Sequence, residues 1–313
     1  MRLFLIVFIM SLMTTISYAR DQIKIVGSST VYPFSTVVAE RFGKSGNKTP
    51  VIESTGTGGG MKLFCAGIGV NTPDMSNASR KIKPKEVKLC KDNGVTEITQ
   101  VIVGLDGIAF TSSVKGKQYN FTKKHLWEAM SDLGSKPKKW SDIDPSLPDY
   151  KIAILTPPAT SGTRDAWNSL VMKKGCPEEI LKEQGKKACY MLREDGAVIE
   201  VGENDTLIIN KLVGEPTYFG IFGFSYYDNS KDKVQAHLIE DKKISLKSIQ
   251  DGSYPISRPL YFYVKDQHIG VIPGVEEYVK EFTSKRAAGP RGYLLDLGLV
   301  PLKSLKESIS KVE

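Results

Sequence analysis

Residues 24–43 read KIVGSSTVYPFSTVVAERFG, a short β-type run that meets a polar turn and then a helix. Ile23 to Val26 supply the strand and Gly27-Ser28-Ser29-Thr30 the turn. Pro33 fits the first turn of a helix, where no backbone N–H is needed, and Phe34, Val37, Val38 and Phe42 recur on one side of it. Gly43 is placed to end it. The same order then repeats. Val51 to Glu53 is a second strand and Thr55-Gly56-Thr57-Gly58-Gly59-Gly60 a second turn. Met61, Leu63 and Phe64 open the next helix, stopped by Gly67. Strand–turn–helix units in series predict an α/β fold, a sheet flanked by crossover helices.

Two longer apolar runs break this rhythm. Gln100 to Thr111 (QVIVGLDGIAFT) is interrupted by Gly104 and Gly107, and Ser257 to Val264 (SRPLYFYV) alternates bulky residues. The segment between them carries its own strand, Lys151 to Leu155, and its own helix, Thr163 to Lys174. The simplest organisation inserts this second lobe into the first, with the two runs as crossing strands of a hinge. Residues 20–105 and 262–313 are then expected in lobe 1 and residues 106–261 in lobe 2. The stretches 273–284 and 292–313 read as helical.

The chain opens with the pattern of an export signal, expected over residues 1–19. Arg2 gives the positive start, Leu3 to Met13 the apolar core, and Ser17-Tyr18-Ala19 the cleavage region. The core is too short to span a bilayer comfortably, and no cysteine follows it for lipid attachment. The mature chain is expected to start near Arg20, in the periplasm. A formal net charge of +8 suits an anionic partner. Export argues against nucleic acid, and Lys-rich runs such as Lys81 to Lys91 read as solvated faces. The four cysteines, Cys65, Cys90, Cys176 and Cys189, fit an oxidising compartment. Of the possible connectivities, closeness in sequence favours Cys65–Cys90 and Cys176–Cys189. Each would close a loop worth roughly 3 kcal/mol. No CxxC pair or nearby histidine supports a metal site, and no cofactor is expected.

Polar chemistry concentrates in segments 27–30, 54–60, 74–80 and 160–165, at or near strand-to-helix turns. There, free backbone N–H groups and the positive end of a helix dipole point together, the usual way an α/β protein holds an anion. Capping hydroxyls add donors and glycines let the backbone approach. No Gly-Lys-Ser/Thr completes a P-loop, and the glycine spacing does not match a dinucleotide fingerprint. The segment PATSGTRDAW (158–167) is the most informative. Ser161 and Thr163 offer hydroxyls, Gly162 and Thr163 offer backbone N–H groups, and Arg164 offers a planar fork for two oxygens. Ala166, Trp167, Leu170 and Val171 give that helix an anchoring apolar face. Taken singly, these residues are also plain helix caps, and Arg164 is also one half of an ion pair with Asp165. Together, in an exported chain, they point to an anion cleft. A secreted phosphate-ester hydrolase is the alternative from another class, with Ser161 or Thr30 as nucleophile. Only His125, His237 and His268 are present, none in triad or metal spacing. No GxSxG elbow accompanies the serines, so no catalytic residue is assigned.

GSSTVYPF (27–34), ESTGTGGGMK (53–62), PDMSNASR (73–80) and SGTRDAW (161–167) resemble, in order and spacing, the phosphate-binding proteins of the phosphate-specific ABC importer. LDGIAF (105–110) and YPISRPLYFYV (254–264) resemble that family's lobe crossings. The resemblance spans residues 22 to 300. It implies a two-lobed type II periplasmic binding fold in which each lobe is a sheet flanked by helices. Inorganic phosphate would lie between the lobes of a monomer that delivers it to a membrane permease. Matched motif by motif, Ser29 and Thr30 fall at the first anion turn, and Thr57 and Gly58 at the second. Asp74 matches the family's carboxylate, Ser161, Gly162 and Thr163 its SGT turn, and Arg80 lies in its ASR sequence. Some members carry the binding arginine just ahead of the SGT turn, where this chain has Pro157 and Pro158; others carry it directly after, as Arg164 stands here.

A carboxylate in an anion pocket has a chemical use. Phosphate near neutral pH keeps an O–H to donate to it, whereas sulfate has none and would meet repulsion. On this reading Asp74 makes the cleft demand a protonated ligand. Binding proteins for another oxyanion, or for a phosphorylated small molecule, are the nearer alternative.

Overall fold

The computed structural model describes residues 20–312 apart from 160, 203–204 and 306–307. The expected leader, residues 1–19, and Thr160 lie outside the described residues. The strands are β1 (Lys24–Gly27), β2 (Val51–Ser54), β3 (Met75–Ala78), β4 (Ile98–Ser113), β5 (Asn120–Phe121), β6 (Ile154–Thr156), β7 (Val198–Glu200), β8 (Phe219–Gly223), β9 (Val234–Ala236), β10 (Leu238–Ile239), β11 (Ser257–Lys265) and β12 (Ile309–Lys311). The helices that position the site are α1 (Tyr32–Lys44), α2 (Gly56–Phe64), α3 (Pro84–Asp92), α4 (Lys123–Met130) and α5 (Gly162–Trp167).

Strand β4 is long enough to serve two sheets. Its first half lies in a sheet ordered β2-β1-β3-β11-β4, in which β1, β2 and β3 are parallel and β11 runs antiparallel to both β3 and β4. Its second half pairs antiparallel with β8 and β9, and β8 leads on to β6 and β7, which run parallel to it in order. The β4–β11 ladder runs from Ile98 opposite Lys265 to Gly107 opposite Ser257, with a register shift at Leu260/Tyr261. Two crossing strands therefore join two lobes, the α/β architecture that the sequence motifs imply.

The cores separate accordingly. One cluster gathers Ile25, Val38, Phe42, Val103, Leu260, Phe262, Tyr278 and Phe282, with α1 packed by Phe34, Val38 and Phe42 against the helix Val275–Phe282. Ridge packing brings Phe42 and Tyr278 edge to face at 5.6 Å between ring centroids. A second core gathers Ile108, Phe110, Phe121, Trp127, Trp140, Trp167 and Phe219 under the second sheet, and a third, smaller one gathers Met61, Phe64, Ile98 and Tyr263 beside Cys65 and Cys90. Cys65 is bonded to Cys90, and Cys176 to Cys189. The stretch 292–313 departs from the helical reading. It holds a short 3-10 turn, Tyr293–Leu297, and then β12, which pairs with β4 across Ile309–Val101. Sheet pairing with an available edge has overridden local helix preference there. No described helix is long and apolar enough to cross a membrane.

His237 is a buried member of the second core, 5.1 Å from Phe219 and 5.4 Å from Phe121 between ring centroids. Its Nδ1 accepts the Tyr119 N–H at 3.1 Å, so the ring proton belongs on Nε2, which meets Ser112 Oγ at 3.0 Å. A second proton would face the Tyr119 donor in an apolar shell, and burial holds its pKa down to about 3. An unfolded histidine titrates near 6.5, so between those values the unfolded chain takes up a proton that the folded chain does not. Stability should fall as pH drops below about 6.5, by up to ~1.4 kcal/mol per pH unit. The imidazole resonances of His237 should remain those of the neutral Nε2–H tautomer at pH 5. A titration midpoint near 6.5 in the folded protein would contradict this.

Candidate functional site

The parallel strands of lobe 1 end side by side, with Gly27 in register with Ser54 and with Asn77. Gly27 adopts φ of 123°, and a Cβ there would lie 2.2 Å from the Asn77 carbonyl oxygen, so only glycine lets β1 turn this close to β3. Ser28 N–H donates to Asn77 O at 2.9 Å and Thr55 N–H to Gly27 O at 2.9 Å, which fixes both turns on one edge. The first turns of α1 and α2 follow, with amides that no intrahelical carbonyl can satisfy. Thr30 is buried and Ser29 half-buried at the start of α1. Thr57 lies in the first turn of α2. Its Oγ1 accepts the Ser79 N–H at 3.1 Å and lies 3.2 Å from Ser79 Oγ. Gly58 follows it, with nothing within 4 Å of where a Cβ would stand.

In lobe 2 the chain leaves β6 at Thr156 and enters α5 through the SGT turn. Ser161 is the N-cap, its Oγ accepting the Thr163 N–H at 3.2 Å. Arg164 is buried, and its Nη1 donates to Thr156 Oγ1 at 3.2 Å and to Pro157 O at 3.1 Å. Its Nε has no hydrogen-bond partner, and no carboxylate among the described residues lies within ion-pair distance. Burial lowers its pKa, against the pull of the Glu200 carboxylate. A buried guanidinium without a paired acid is costly unless something anionic reaches it.

The two turns face each other. Thr30 Oγ1 donates to Gly162 O at 3.3 Å, and a Cβ on Gly162 would stand 2.6 Å from Thr30 Cα. Beside this contact is a cavity of about 210 Å³ that Thr30, Ser161, Gly162, Thr163, Asp106 and Asp205 help to line. Its lining holds two carboxylates and no lysine or arginine; positive charge stands behind it, on Arg164 and Arg258. Larger cavities lie elsewhere, one beside β12 and one beside Phe224 and Leu299. Neither gathers the polar turns.

Two expected site residues are paired within the protein instead. Asp74 precedes β3, at the opposite end of the strand from the cleft. Its N–H donates to Lys24 O at 2.9 Å and its Oδ2 accepts the Lys24 N–H at 2.7 Å. Five residue steps of extended chain separate it from Ser79, about 16 Å at roughly 3.3 Å per residue. There it is fully buried, paired with Arg20 at 2.7 Å and with His268 Nδ1 at 2.5 Å, while His268 Nε2 lies 2.9 Å from Ile68 O. It cannot meet a ligand in the cleft. Arg80 does stand at the correct end of β3, but both its Nη atoms grip Glu86 of α3, at 2.8 and 2.7 Å. That pairing holds the Glu86 carboxyl below its usual range despite burial.

The sequence reading passed over Ser79, Asp106 and Arg258. Ser79 follows the end of β3 directly. Asp106 lies opposite Arg258 in the β4–β11 register, with Oδ2 3.5 Å from Arg258 Nε. Burial pushes its carboxyl up, against the pull of that guanidinium. Asp106 and Arg258 both lie inside the apolar runs 100–111 and 257–264. One acid and one base within otherwise apolar crossings were the available signal.

Comparison with known proteins now places this geometry. Residues 14–286 match the family described as the PBP superfamily domain. The chain belongs to that superfamily. A phosphate-binding protein PstS of Staphylococcus saprophyticus is 29% identical over 93% of this chain and 84% of its own length. Protein SphX of Synechococcus elongatus is 30% identical over 77% of this chain and 67% of its own. A solved structure titled a possible phosphate binding protein, from Planctomyces limnophilus, is 27% identical with a TM-score of 0.74. It covers 91% of this chain and 95% of its own.

The Asp74 cluster should behave as a structural element. Asp74→Asn leaves Arg20 without its buried counter-charge and His268 Nδ1 without its carboxylate partner, and should cost on the order of 3 kcal/mol. The check is the urea midpoint of the mature chain. A midpoint equal to wild type would mean the cluster contributes nothing to stability.

Proposed function

We propose that this chain captures inorganic phosphate between its lobes in the periplasm and delivers it to the membrane permease of an ABC importer. The observation that carries this is the meeting of Thr30 with Gly162, which places the two anion turns on either side of one small polar cavity. Relatives named for phosphate binding, aligned over most of the chain, supply the ligand. Ser29, Thr30, Thr57 and Gly58 would contribute from lobe 1, and Ser161, Gly162, Thr163 and Arg164 from lobe 2. The role first given to Asp74 passes to Asp106, whose buried Oδ2 lacks a hydrogen-bond partner and whose side chain faces the cavity. An O–H on the ligand would satisfy that oxygen, and a fully ionised oxyanion would not.

Binding without catalysis fits the positions of the histidines. His237 is in the core, His268 is beside Asp74, and His125 caps α4 next to Asp144. The leader expected at residues 1–19 would carry the chain across the inner membrane, and a monomer suffices because both halves of the cleft come from one chain.

Titration calorimetry with phosphate and sulfate tests the proposal. Tight binding of phosphate and none of sulfate is expected. Asp106→Asn should bind phosphate more weakly and lose part of its discrimination, while Asp74→Asn, once folded, should keep both. Gly162→Ala, whose methyl would strike the Thr30 backbone, should weaken phosphate binding at least about tenfold, the equivalent of 1.4 kcal/mol. Equal wild-type binding of sulfate, or of a phosphorylated sugar in place of phosphate, would overturn the assignment of the ligand.

A further inference from the structure

Arg258 stands outside the lining of the cavity and hydrogen-bonds to a residue of each lobe. It sits near the start of β11, opposite Asp106 of β4, and its side chain is only 10% exposed. Nη2 donates to Thr30 Oγ1 at 3.0 Å, and Nη1 donates to Ser169 Oγ at 3.1 Å. Thr30 belongs to the anion turn of lobe 1, and Ser169 to the helical turn that continues α5 in lobe 2. Asp165 Oδ2 lies 3.9 Å from Nη2 and Asp106 Oδ2 3.5 Å from Nε, so two carboxylates flank the guanidinium. One planar group borne on the hinge thus reaches both lobes.

The hydroxyl chemistry gives these contacts a direction. A threonine hydroxyl has one proton and two lone pairs. With Arg258 donating into a lone pair, Thr30 must turn its own proton away from the guanidinium, and it faces Gly162 O. Ser169 is arranged in the same sense, accepting from Arg258 and donating to Ala166 O at 3.0 Å. Arg258 therefore fixes Thr30 as a donor to Gly162 O and ties the helix behind the SGT turn to the same point.

We infer that Arg258 is an inter-lobe latch, which holds Thr30 and Ser169 together in the closed form and, by accepting no proton from Thr30, leaves that hydroxyl to bridge to Gly162 O of the other lobe. The contacts to Thr30 and Ser169 come from separate nitrogens of a rigid fork, and a lysine ammonium is a single point that cannot reproduce both. A contact made only in the closed form lengthens the life of the complex more than it speeds encounter. The binding arm of this inference rests on the phosphate reading.

The test compares wild type, Arg258→Lys and Ser169→Ala by stopped-flow phosphate binding and by fluorescence energy transfer between one dye on each lobe, read without and with phosphate. Arg258→Lys should raise the dissociation rate constant about tenfold, as expected for one lost hydrogen bond to a charged group. The association rate constant should change less than about twofold, and the inter-lobe distance without phosphate should increase. Ser169→Ala should move both readouts the same way by a smaller factor, and it serves if Arg258→Lys does not fold. An unchanged dissociation rate and distance in both variants would overturn the latch. So would a loss confined to a salt-dependent association rate with the distance unchanged, since Arg258 would then act as a charge on the ligand. Failure of wild type to bind phosphate would instead defeat the ligand assignment, and the distance arm would still decide the latch.

Discussion

The antiparallel ladder between β4 and β11 is the constraint from which the rest follows. Its hydrogen bonds run unbroken, except for one register shift, from the first sheet to the point where β4 leaves β11 for β8. Both lobes are built on the same pair of strands, so their separation is set by a few residues near Gly107 and Ser257 and not by a flexible linker. Paired strands resist sliding but can twist, and a twist there swings one lobe against the other. Asp106 and Arg258 sit at that point. Their position explains how charged side chains in a hinge can belong to the ligand site as well.

The buried polar groups divide into two kinds. Those around Asp74 pair with one another: Arg20 and His268 hold the carboxylate, and Lys265 donates to Gly67 O and Thr72 Oγ1. Burial lowers the Lys265 pKa to about 8, against the pull of Asp74. Such a cluster fixes structure. Around the cleft, Ser28 Oγ, Asp106 Oδ2, Arg164 Nε and Arg258 Nε are all buried without a hydrogen-bond partner. Buried polar groups are normally paired, and of these four only Asp106 lines the cavity, its Oδ2 3.5 Å from Arg258 Nε in an ion pair longer than a hydrogen bond. Arg20 Nε and Nη1, in the Asp74 cluster, are buried without a partner as well, so it is the position beside the cavity that singles out Asp106.

Much of the architecture was legible in local signals. Pro33 and the spacing of Phe34, Val38 and Phe42 define α1, because a helix that buries one face must repeat at that interval. The turns at Ser29–Thr30, Thr57–Gly58 and Ser161–Thr163 could be found because glycine and hydroxyl residues before a helix have a backbone reason to be there. The segment 292–313 misled, since β12 depends on an exposed edge of β4 that no neighbouring residue reveals. Asp74 misled for a similar reason. A four-residue strand carries its two ends to opposite sides of the lobe, and a motif read as one word, PDMSNASR, spans both.

The sequence by itself determined the residue types available for anion binding, the strand–turn–helix units that present them, and the two apolar runs that cross between lobes. These follow from periodicity and backbone preference, which act over a few residues. Tertiary structure alone decided which charges work together. It moved Asp74 to a sealed structural cluster and engaged Arg80 with Glu86. It also brought Asp106 and Arg258, far apart in the chain, into cross-strand register beside Thr30 and the SGT turn. Electrostatics and hydrogen bonding act through space over a few ångströms, and only the folded chain sets those distances.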